Sequence, residues 1–372
     1  MPGYMWGPSG GFRVVYEYAN HLVSRGHEVA VIHPRRLLYC RETSPTLRHY
    51  LHKTKVALKN VFSTPSIDWQ PIDNRVELHF VANSGQRHIP DGDALFATAW
   101  QTVPSVLECP AGKGAKCYLI QGHETWMGPR DLVDATWRAP LRKVVVSQWL
   151  LEVGRNLGGH QLTYIPNGID HSRYRLTRPI ENRPRQIVMI CSPVELKGSR
   201  DGVTALQIAK KEFPDLRVLL FGNSRRASWI PKWMRYEQDP PQSRIVEEFY
   251  NGSSIVVSPS IAEGFALPPA EGAACGCAIA ATDSGGIRDF AEHNFTALLS
   301  PPKDPEALAT NICHLLGNDD LRIRLAYSAN EFIKRFSWER SAGLLEEFLI
   351  EVTQRKPLGT PQLTSSVEMS PS

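Results

Sequence analysis

The sequence has no uninterrupted hydrophobic run of 18 residues, so it offers no segment that would cross a bilayer as a helix. Its first residues show no basic segment followed by an apolar one, and we expect no secretory signal there. It has no C-x-x-C pair and no histidine array, which removes the common spacings of zinc sites. We therefore predict a cytoplasmic protein with no bound metal and no cofactor.

A strong excess of one charge is also missing. Lysine and arginine number 42 against 38 acidic residues, and the net charge of +4 is too small to argue for a nucleic-acid partner. Hydrophobic residues make up 42% and charged residues 22%, the balance of a globular protein and not of a disordered or coiled-coil chain. The 7 cysteines are scattered and odd in number, so we expect free thiols in a reducing compartment.

What the sequence does contain is an alternation of short hydrophobic strands and helical segments. Continuous apolar strands joined by helices predict parallel sheets that are covered on both faces. The alternation runs twice, which predicts an α/β fold of two doubly wound domains with a ligand in the cleft between them. The predicted strands lie at residues 28–34, 76–81, 93–100, 116–121, 143–147, 162–166, 187–191, 218–222, 254–260, 278–282 and 296–300.

The two series of alternating strands and helices indicate where the domain boundaries lie. We predict a first domain at residues 1–172, a second at 173–337, and a disordered tail rich in Ser, Thr and Pro at 356–372. The basic, proline-rich stretch 173–186 is expected to be an exposed linker. Only a few residues precede the first glycine pair, so we hypothesise that the opening strand is very short or begins upstream.

The segment SPSIAEGFALPPAE, residues 258–271, carries two carboxylates, Glu263 and Glu271, around a predicted helix start. Backbone N–H groups at such a start are free to bind an anion or another polar ligand. The carboxylates are suited to accept hydrogen bonds from hydroxyls, so the ligand should carry both phosphate and hydroxyls, as a nucleotide sugar does. The amides in question belong to Gly264, Phe265, Ala266 and Leu267.

With this segment the chain resembles the retaining glycosyltransferases of family 4, the glycosyl transferases group 1. Other matching pieces occur in the family's order: the pair Gly10 and Gly11, then RGHEV, IPNGID, LKG and, after EGFALPPAE, TDSGGIRD. The resemblance implies the GT-B fold, two Rossmann-like domains facing across a cleft. It places the acceptor on the first domain and the nucleotide sugar on the second, with a last helix at 338–355 packed back on the first domain.

The roles of single residues follow from this resemblance. It implies that Glu263 contacts hydroxyls of the transferred sugar, that Glu271 binds ribose, and that Lys197 faces the diphosphate. A cation at the diphosphate stabilises the charge that develops on the leaving group. Gly10 and Gly11, in a predicted loop ahead of a helix from residue 14, would let backbone approach the phosphate or the sugar.

Four further positions leave alternatives open. His123, in QGHETW, matches a polar residue near the transferred sugar, but a structural histidine bonded to backbone fits equally. Asn167, in IPNGID, is a candidate for donor binding, although Asn-Gly is also typical of a turn. Ser192 stands where the family commonly has an arginine, so one contact to the diphosphate is in doubt. Arg200 is a candidate to replace that contact.

The prediction is therefore a metal-independent hexosyltransferase that moves a sugar, with retention, from a nucleoside diphosphate sugar to a hydroxyl acceptor. The acceptor would be a glycan, a glycolipid or a small molecule, as in polysaccharide or glycoconjugate biosynthesis. One alternative is a nucleotide-sugar epimerase or hydrolase of the same fold. The other is a catalytically silent nucleotide-sugar binder, which Ser192 favours. A dinucleotide oxidoreductase is disfavoured because no G-x-G-x-x-G follows a strand.

Residues 35–62 carry many cations, one acidic residue and interleaved apolar side chains. The pattern fits an amphipathic helix on anionic lipid, which would place the protein peripherally at the inner face of the cell membrane. We favour the other interpretation, a solvated insertion that covers the acceptor side of the first domain.

Overall fold

The structure is a computed structural model that describes residues 1–3, 7–37 and 67–354. The strands of the first half are β1 (Ala30–Pro34), β2 (Glu77–Val81), β3 (Ala94–Ala97), β4 (Ala115–Ile120), β5 (Arg142–Val145) and β6 (Leu162–Tyr164). Those of the second half are β7 (Gln186–Ile190), β8 (Arg217–Gly222), β9 (Arg235–Gln238), β10 (Ile255–Ser258), β11 (Ala278–Thr282) and β12 (Ala297–Ser300).

The helices cover both halves of the chain and continue beyond the last strand. They are α1 (Gly10–Ser24), α2 (Val103–Leu107), α3 (Arg130–Arg138), α4 (Gln148–Asn156), α5 (Ser199–Glu212), α6 (Gln242–Arg244), α7 (Leu267–Ala274), α8 (Pro305–Gly317), α9 (Asp319–Ile333) and α10 (Trp338–Gln354). Helix α6 continues as a π-helix over Ile245–Tyr250. None of the helices in the described ranges is long and apolar enough to span a membrane.

The second half forms one six-stranded parallel sheet in the order β12-β11-β10-β7-β8-β9. Every residue of β10 and β11 is buried, which explains their uninterrupted apolar sequences. The strand order reverses between β7 and β10. In a doubly wound sheet the carboxyl ends of the strands at such a reversal open a crevice that binds ligands.

The first half holds two parallel sheets where the sequence predicts one. One sheet pairs β1 with β2, and the other has the order β3-β4-β5-β6. The N-terminal residues lie between them: the Met1 ammonium donates to Ile32 O at 3.0 Å, and Thr98 Oγ1 lies 3.6 Å from Met1 Sδ. The split therefore falls where the opening strand of a doubly wound sheet would run.

One sequence prediction is wrong in detail, and another holds for most of its residues but not for all. Helix α1 begins at Gly10 and not at residue 14, so Gly10 and Gly11 are its first residues and not a loop. The stretch 173–186 is largely exposed, as predicted, but Tyr174, Ile180 and Arg183 are buried in it, the Arg183 guanidinium among backbone carbonyls. Backbone carbonyls accept from both terminal nitrogens of Arg183, Nη1 and Nη2, so this guanidinium is buried without an acidic partner among the described residues.

Helix α10 packs on α1. Trp338 meets Tyr18 edge to face with ring centroids 5.4 Å apart, and Arg25 Nη2 lies 2.9 Å from Glu339 Oε1. The predicted tail at 356–372 and most of the basic stretch at 35–62 lie outside the described residues.

Candidate functional site

Lys197 and Glu263 follow the two strands at which the sheet order reverses. Lys197 ends a short 3-10 turn after β7, and Gly198 behind it takes a left-handed conformation before α5 begins. Glu263 lies in the loop after β10, where its N–H donates to Ser284 O at 2.8 Å and its carbonyl accepts from Gly286 N at 3.1 Å. The backbone on both sides of the crevice is therefore fixed by the fold.

The two side chains form an ion pair. Lys197 Nζ lies 2.7 and 2.9 Å from the two carboxylate oxygens of Glu263, and Ser260 Oγ donates to Glu263 Oε1 at 2.7 Å. The Lys197 side chain is 36% exposed and that of Glu263 is 12% exposed. The lysine is thus the more accessible partner, a cation bound by a carboxylate that Ser260 in turn supports.

Helix α7 begins beside this pair, at Leu267, with prolines in its first turn as the sequence predicts. Its N-cap, Ala266, has φ +69°, a left-handed conformation that costs a non-glycine residue about 1 kcal/mol. Phe265 is buried against Phe290 and Phe336, with ring centroids 5.4 and 5.6 Å away. This aromatic packing anchors the loop that carries Glu263.

Gly264 brings the first half of the chain against this loop. A Cβ on Gly264 would lie 1.8 Å from the carbonyl oxygen of Gln121, the residue after β4. The Gln121 side chain in turn donates from Nε2 to Gly11 O at 3.0 Å. Gln121 therefore joins the start of α1 to the Glu263 loop and forms a wall of the crevice.

His123 lies two residues beyond that wall. Its Nε2 is 2.7 Å from Asp134 Oδ1 on α3, and its ring stands edge to face against Trp137 at 5.9 Å. The partner of the ring is thus a carboxylate and not the backbone. Asp134 was not singled out from the sequence, where nothing marks its distance from His123.

Glu271 has different neighbours from Lys197 and Glu263. Arg13 Nη1 lies 2.6 Å from its Oε1, and the Tyr250 hydroxyl donates to its Oε2 at 3.1 Å. Burial raises the pKa of Glu271, and the positive charge of Arg13 works against that rise. No hydrogen bond or ion pair joins Glu271 to the Lys197–Glu263 pair in the part of the chain that the structure describes.

Asn167 is buried, and its Oδ1 accepts no hydrogen bond from any described residue. The next residue, Gly168, packs so closely on helix α10 that a Cβ there would lie 2.2 Å from Trp338 N. The motif therefore fixes the chain at the base of α10, and no described contact joins Asn167 to the other candidate residues.

A cavity of about 630 Å³ lies next to Lys197, between the loops that follow β7 and β8. It is lined by Glu195 and Gly198, which flank Lys197, and by Ser192. Arg200 also lines it, with its guanidinium 5.2 Å from the centre of the Trp229 ring. Ser192 and Arg200 thus share one cavity, and the serine leaves space where an arginine would project.

The carboxyl group of Glu124, next to His123, should make the stability of the protein depend on pH. It accepts a hydrogen bond from Trp100 N at 3.0 Å, and burial raises its pKa from 4.5 to about 7. The native protein then binds this proton more tightly than the unfolded chain, so the stabilisation is complete below pH 4.5 and is lost as the pH rises through 7. Glu124→Gln should remove this loss.

The melting temperatures of the parent and Glu124→Gln, measured from pH 4.5 to 8, test this expectation. As the pH rises, the unfolding free energy of the variant should increase relative to that of the parent, by at most about 3 kcal/mol. Asp289, whose pKa burial raises to about 6, titrates with the same sign in both proteins and cancels in the difference. A difference that stays constant with pH would contradict the assignment to Glu124.

Sequence comparisons find a family match in the second half of the chain. The family described as Glycosyl transferases group 1 matches residues 184–318. A D-inositol 3-phosphate glycosyltransferase of Xylanimonas cellulosilytica is 32% identical over 118 residues, 32% of this chain and 28% of that protein. An uncharacterized glycosyltransferase of Methanocaldococcus jannaschii is 36% identical over 95 residues, 26% of this chain and 27% of that protein. The matches thus span under a third of these relatives' length.

Solved structures share the fold of nearly the whole chain. Anabaena HepE in complex with UDP-glucose superposes with a TM-score of 0.68 at 14% identity, covering 94% of this chain and 98% of that one. Sucrose-phosphate synthase from Thermosynechococcus elongatus gives a TM-score of 0.65 at 17% identity, covering 92% and 94%. The predicted GT-B fold is confirmed, and within it residues 184–318 match the family described as Glycosyl transferases group 1.

Proposed function

We propose that this protein transfers a sugar, with retention of configuration, from a nucleoside diphosphate sugar to a hydroxyl acceptor. The observation that carries the proposal is the Lys197–Glu263 pair, which stands at the strand reversal of a group 1 domain. The matching relatives bear glycosyltransferase names, and the similar Anabaena structure holds UDP-glucose, which supports a donor of this class.

In the proposed reaction the acceptor oxygen bonds to the anomeric carbon as its bond to the diphosphate breaks. The acceptor proton passes to the departing phosphate oxygen on the same face of the sugar. Lys197 stabilises the charge that develops on the diphosphate, because a preorganised cation in a crevice interacts strongly with that charge. Glu263 accepts hydrogen bonds from the sugar hydroxyls, and the His123–Asp134 pair faces the sugar from the first domain.

We also propose that the reaction needs no metal ion and no cofactor. The sequence carries one D-x-D spacing, Asp91 and Asp93. Both precede β3, at the amino edge of its sheet, whereas ligands of such folds bind at the carboxyl edge. Asp91 Oδ1 is also paired with Lys113 Nζ at 2.8 Å. A chelator should therefore leave transfer unchanged.

Thermal shift with UDP, GDP, dTDP and ADP tests donor binding. One of them should raise the melting temperature, because a ligand at a hundred times its Kd stabilises the native state by about 2.7 kcal/mol. Glu271→Gln should reduce that shift, since an amide is a weaker acceptor for ribose hydroxyls than a carboxylate. If none of the four diphosphates shifts the melting temperature, the proposal fails.

Product analysis by NMR then separates the proposal from its alternatives. The nucleotide sugars of the diphosphate that binds are incubated with and without hydroxyl acceptors. Transfer that requires an acceptor and keeps the anomeric configuration supports the proposal. Altered or released sugar without an acceptor would instead identify an epimerase or hydrolase, and binding without any turnover would identify a silent binder.

A further inference from the structure

Arg13 links the two halves of the chain across the crevice. It lies in the first turn of α1, two residues after Gly11, and its Nη1 is 2.6 Å from Oε1 of Glu271 on α7. The two side chains are 19% and 8% exposed. This buried ion pair thus joins a helix of the first half to the helix that borders the Glu263 loop.

Protein groups engage both oxygens of the Glu271 carboxylate. The Tyr250 hydroxyl donates to Oε2 at 3.1 Å, and Arg13 also donates to the Tyr174 hydroxyl at 3.3 Å. Tyr174 and Tyr250 pack edge to face, with ring centroids 6.2 Å apart. The pair is therefore enclosed by α1, α7, the π-helix and the segment after residue 172.

The space beside the pair is too small for a sugar ring. The adjacent cavity, which Leu267 and Trp338 also line, has a volume of about 10 Å³. That volume accommodates no more than about one water molecule. A ribose can reach Glu271 only if the guanidinium moves away from the carboxylate.

We propose that the Arg13–Glu271 pair is a latch across the interdomain crevice, which opens when the ribose hydroxyls of the donor replace the guanidinium on Glu271. This inference rests on the proposed function, in which Glu271 is the ribose contact. A protein whose binding-competent arrangement is only partly populated binds its ligand more weakly by that fraction. The latch should therefore lower the affinity for the donor while it stabilises the chain.

The test compares Arg13→Gln with Arg25→Gln. Arg25 lies just after α1 and pairs with Glu339 and Glu346, so its replacement also removes a guanidinium with acidic partners but leaves Glu271 untouched. Calorimetric titration uses whichever of UDP, GDP, dTDP and ADP binds the parent. Arg13→Gln should tighten binding about tenfold and lower the melting temperature of the nucleotide-free protein, whereas Arg25→Gln should leave the affinity unchanged.

The 2′,3′-dideoxy form of the same nucleotide assigns the effect to ribose. Its affinity should be similar in the parent and in Arg13→Gln, because it has no hydroxyls to compete for Glu271. Weaker or unchanged binding of the normal nucleotide by Arg13→Gln overturns the latch, and weaker binding would instead make Arg13 a donor contact.

Small-angle scattering of nucleotide-free protein separates failure of the latch from failure of the proposed function. Arg13→Gln should increase the radius of gyration, since the pair no longer holds the halves together. If the parent binds none of the four diphosphates, the proposed function fails, and the scattering result alone decides whether the pair holds the crevice closed. An unchanged radius of gyration would overturn the latch in that case too.

Discussion

Lys197→Met is expected to lower the turnover number by about a hundred- to a thousandfold, with a much smaller change in the Michaelis constant for the donor. In the proposed reaction the Lys197 ammonium faces the charge that develops on the leaving diphosphate, so its contribution grows as the bond to the sugar breaks. Methionine keeps the length of the side chain and removes only its charge and hydrogen-bond donors. Steady-state rates of sugar transfer with the nucleotide sugar that binds measure the effect.

Two further variants make this prediction specific. Lys334→Met removes a lysine from another ion pair, with Glu331, far along the chain and outside the proposed site, so its turnover should match the parent. Lys197→Met also leaves the carboxylate of Glu263 without its cation, which disturbs the loop. The double variant with Glu263→Gln relieves that charge. If the double variant recovers the parent turnover, Lys197 acts only through Glu263 and not on the diphosphate.

Five of the six strands in the sheet of the second half could be predicted, the central ones because they are buried on both faces. Burial on both faces leaves a continuous apolar run in the sequence, as in β10 and β11. The edge strand β9 escaped prediction because it reads RYEQ and is largely exposed at both ends. A polar strand of this kind is recognisable only from the strand beside it, β8.

The proximity of Lys197 and Glu263 could also be anticipated. Each follows a strand in the second series, and the carboxyl ends of neighbouring parallel strands meet at one edge of the sheet. Local motifs and topology together are enough for such a pair. They do not give its geometry, in which Glu263 is the buried partner and Ser260 supports it.

The environment of Glu271 could not be anticipated. Arg13 and Glu271 are 258 positions apart, on helices of different halves, so their contact depends on how the halves meet. The burial of Arg183 could not be anticipated for a related reason: the arginines of the stretch 173–186 suggest solvent, but backbone carbonyls from distant segments surround Arg183. The sequence gives the chemistry of each side chain, but the partners of Glu271 and Arg183 are determined by tertiary packing.

Gly264→Ala is expected to cost about 3 kcal/mol of unfolding free energy and to abolish most of the transfer activity. The added Cβ would lie 1.8 Å from Gln121 O, and Gln121 is held in turn by its bond to Gly11. The obstacle is a backbone carbonyl, so no change of rotamer relieves the overlap. Either the two walls of the crevice separate or the Glu263 loop shifts, and both displace Glu263 from the first domain.

Gly112→Ala is the matched control, because a Cβ at Gly112 meets no atom within 4 Å and the residue lies in a short 3-10 turn. It should change the unfolding free energy by less than about 0.5 kcal/mol and leave transfer intact. Thermal unfolding and transfer rates of the two variants form the comparison. Should Gly264→Ala fold as stably as Gly112→Ala and remain active, close contact between Gln121 and the Glu263 loop is not needed for function. The crevice would then have to work in a more open arrangement than this structure, and Lys197 and Glu263 would meet the donor without support from the first domain.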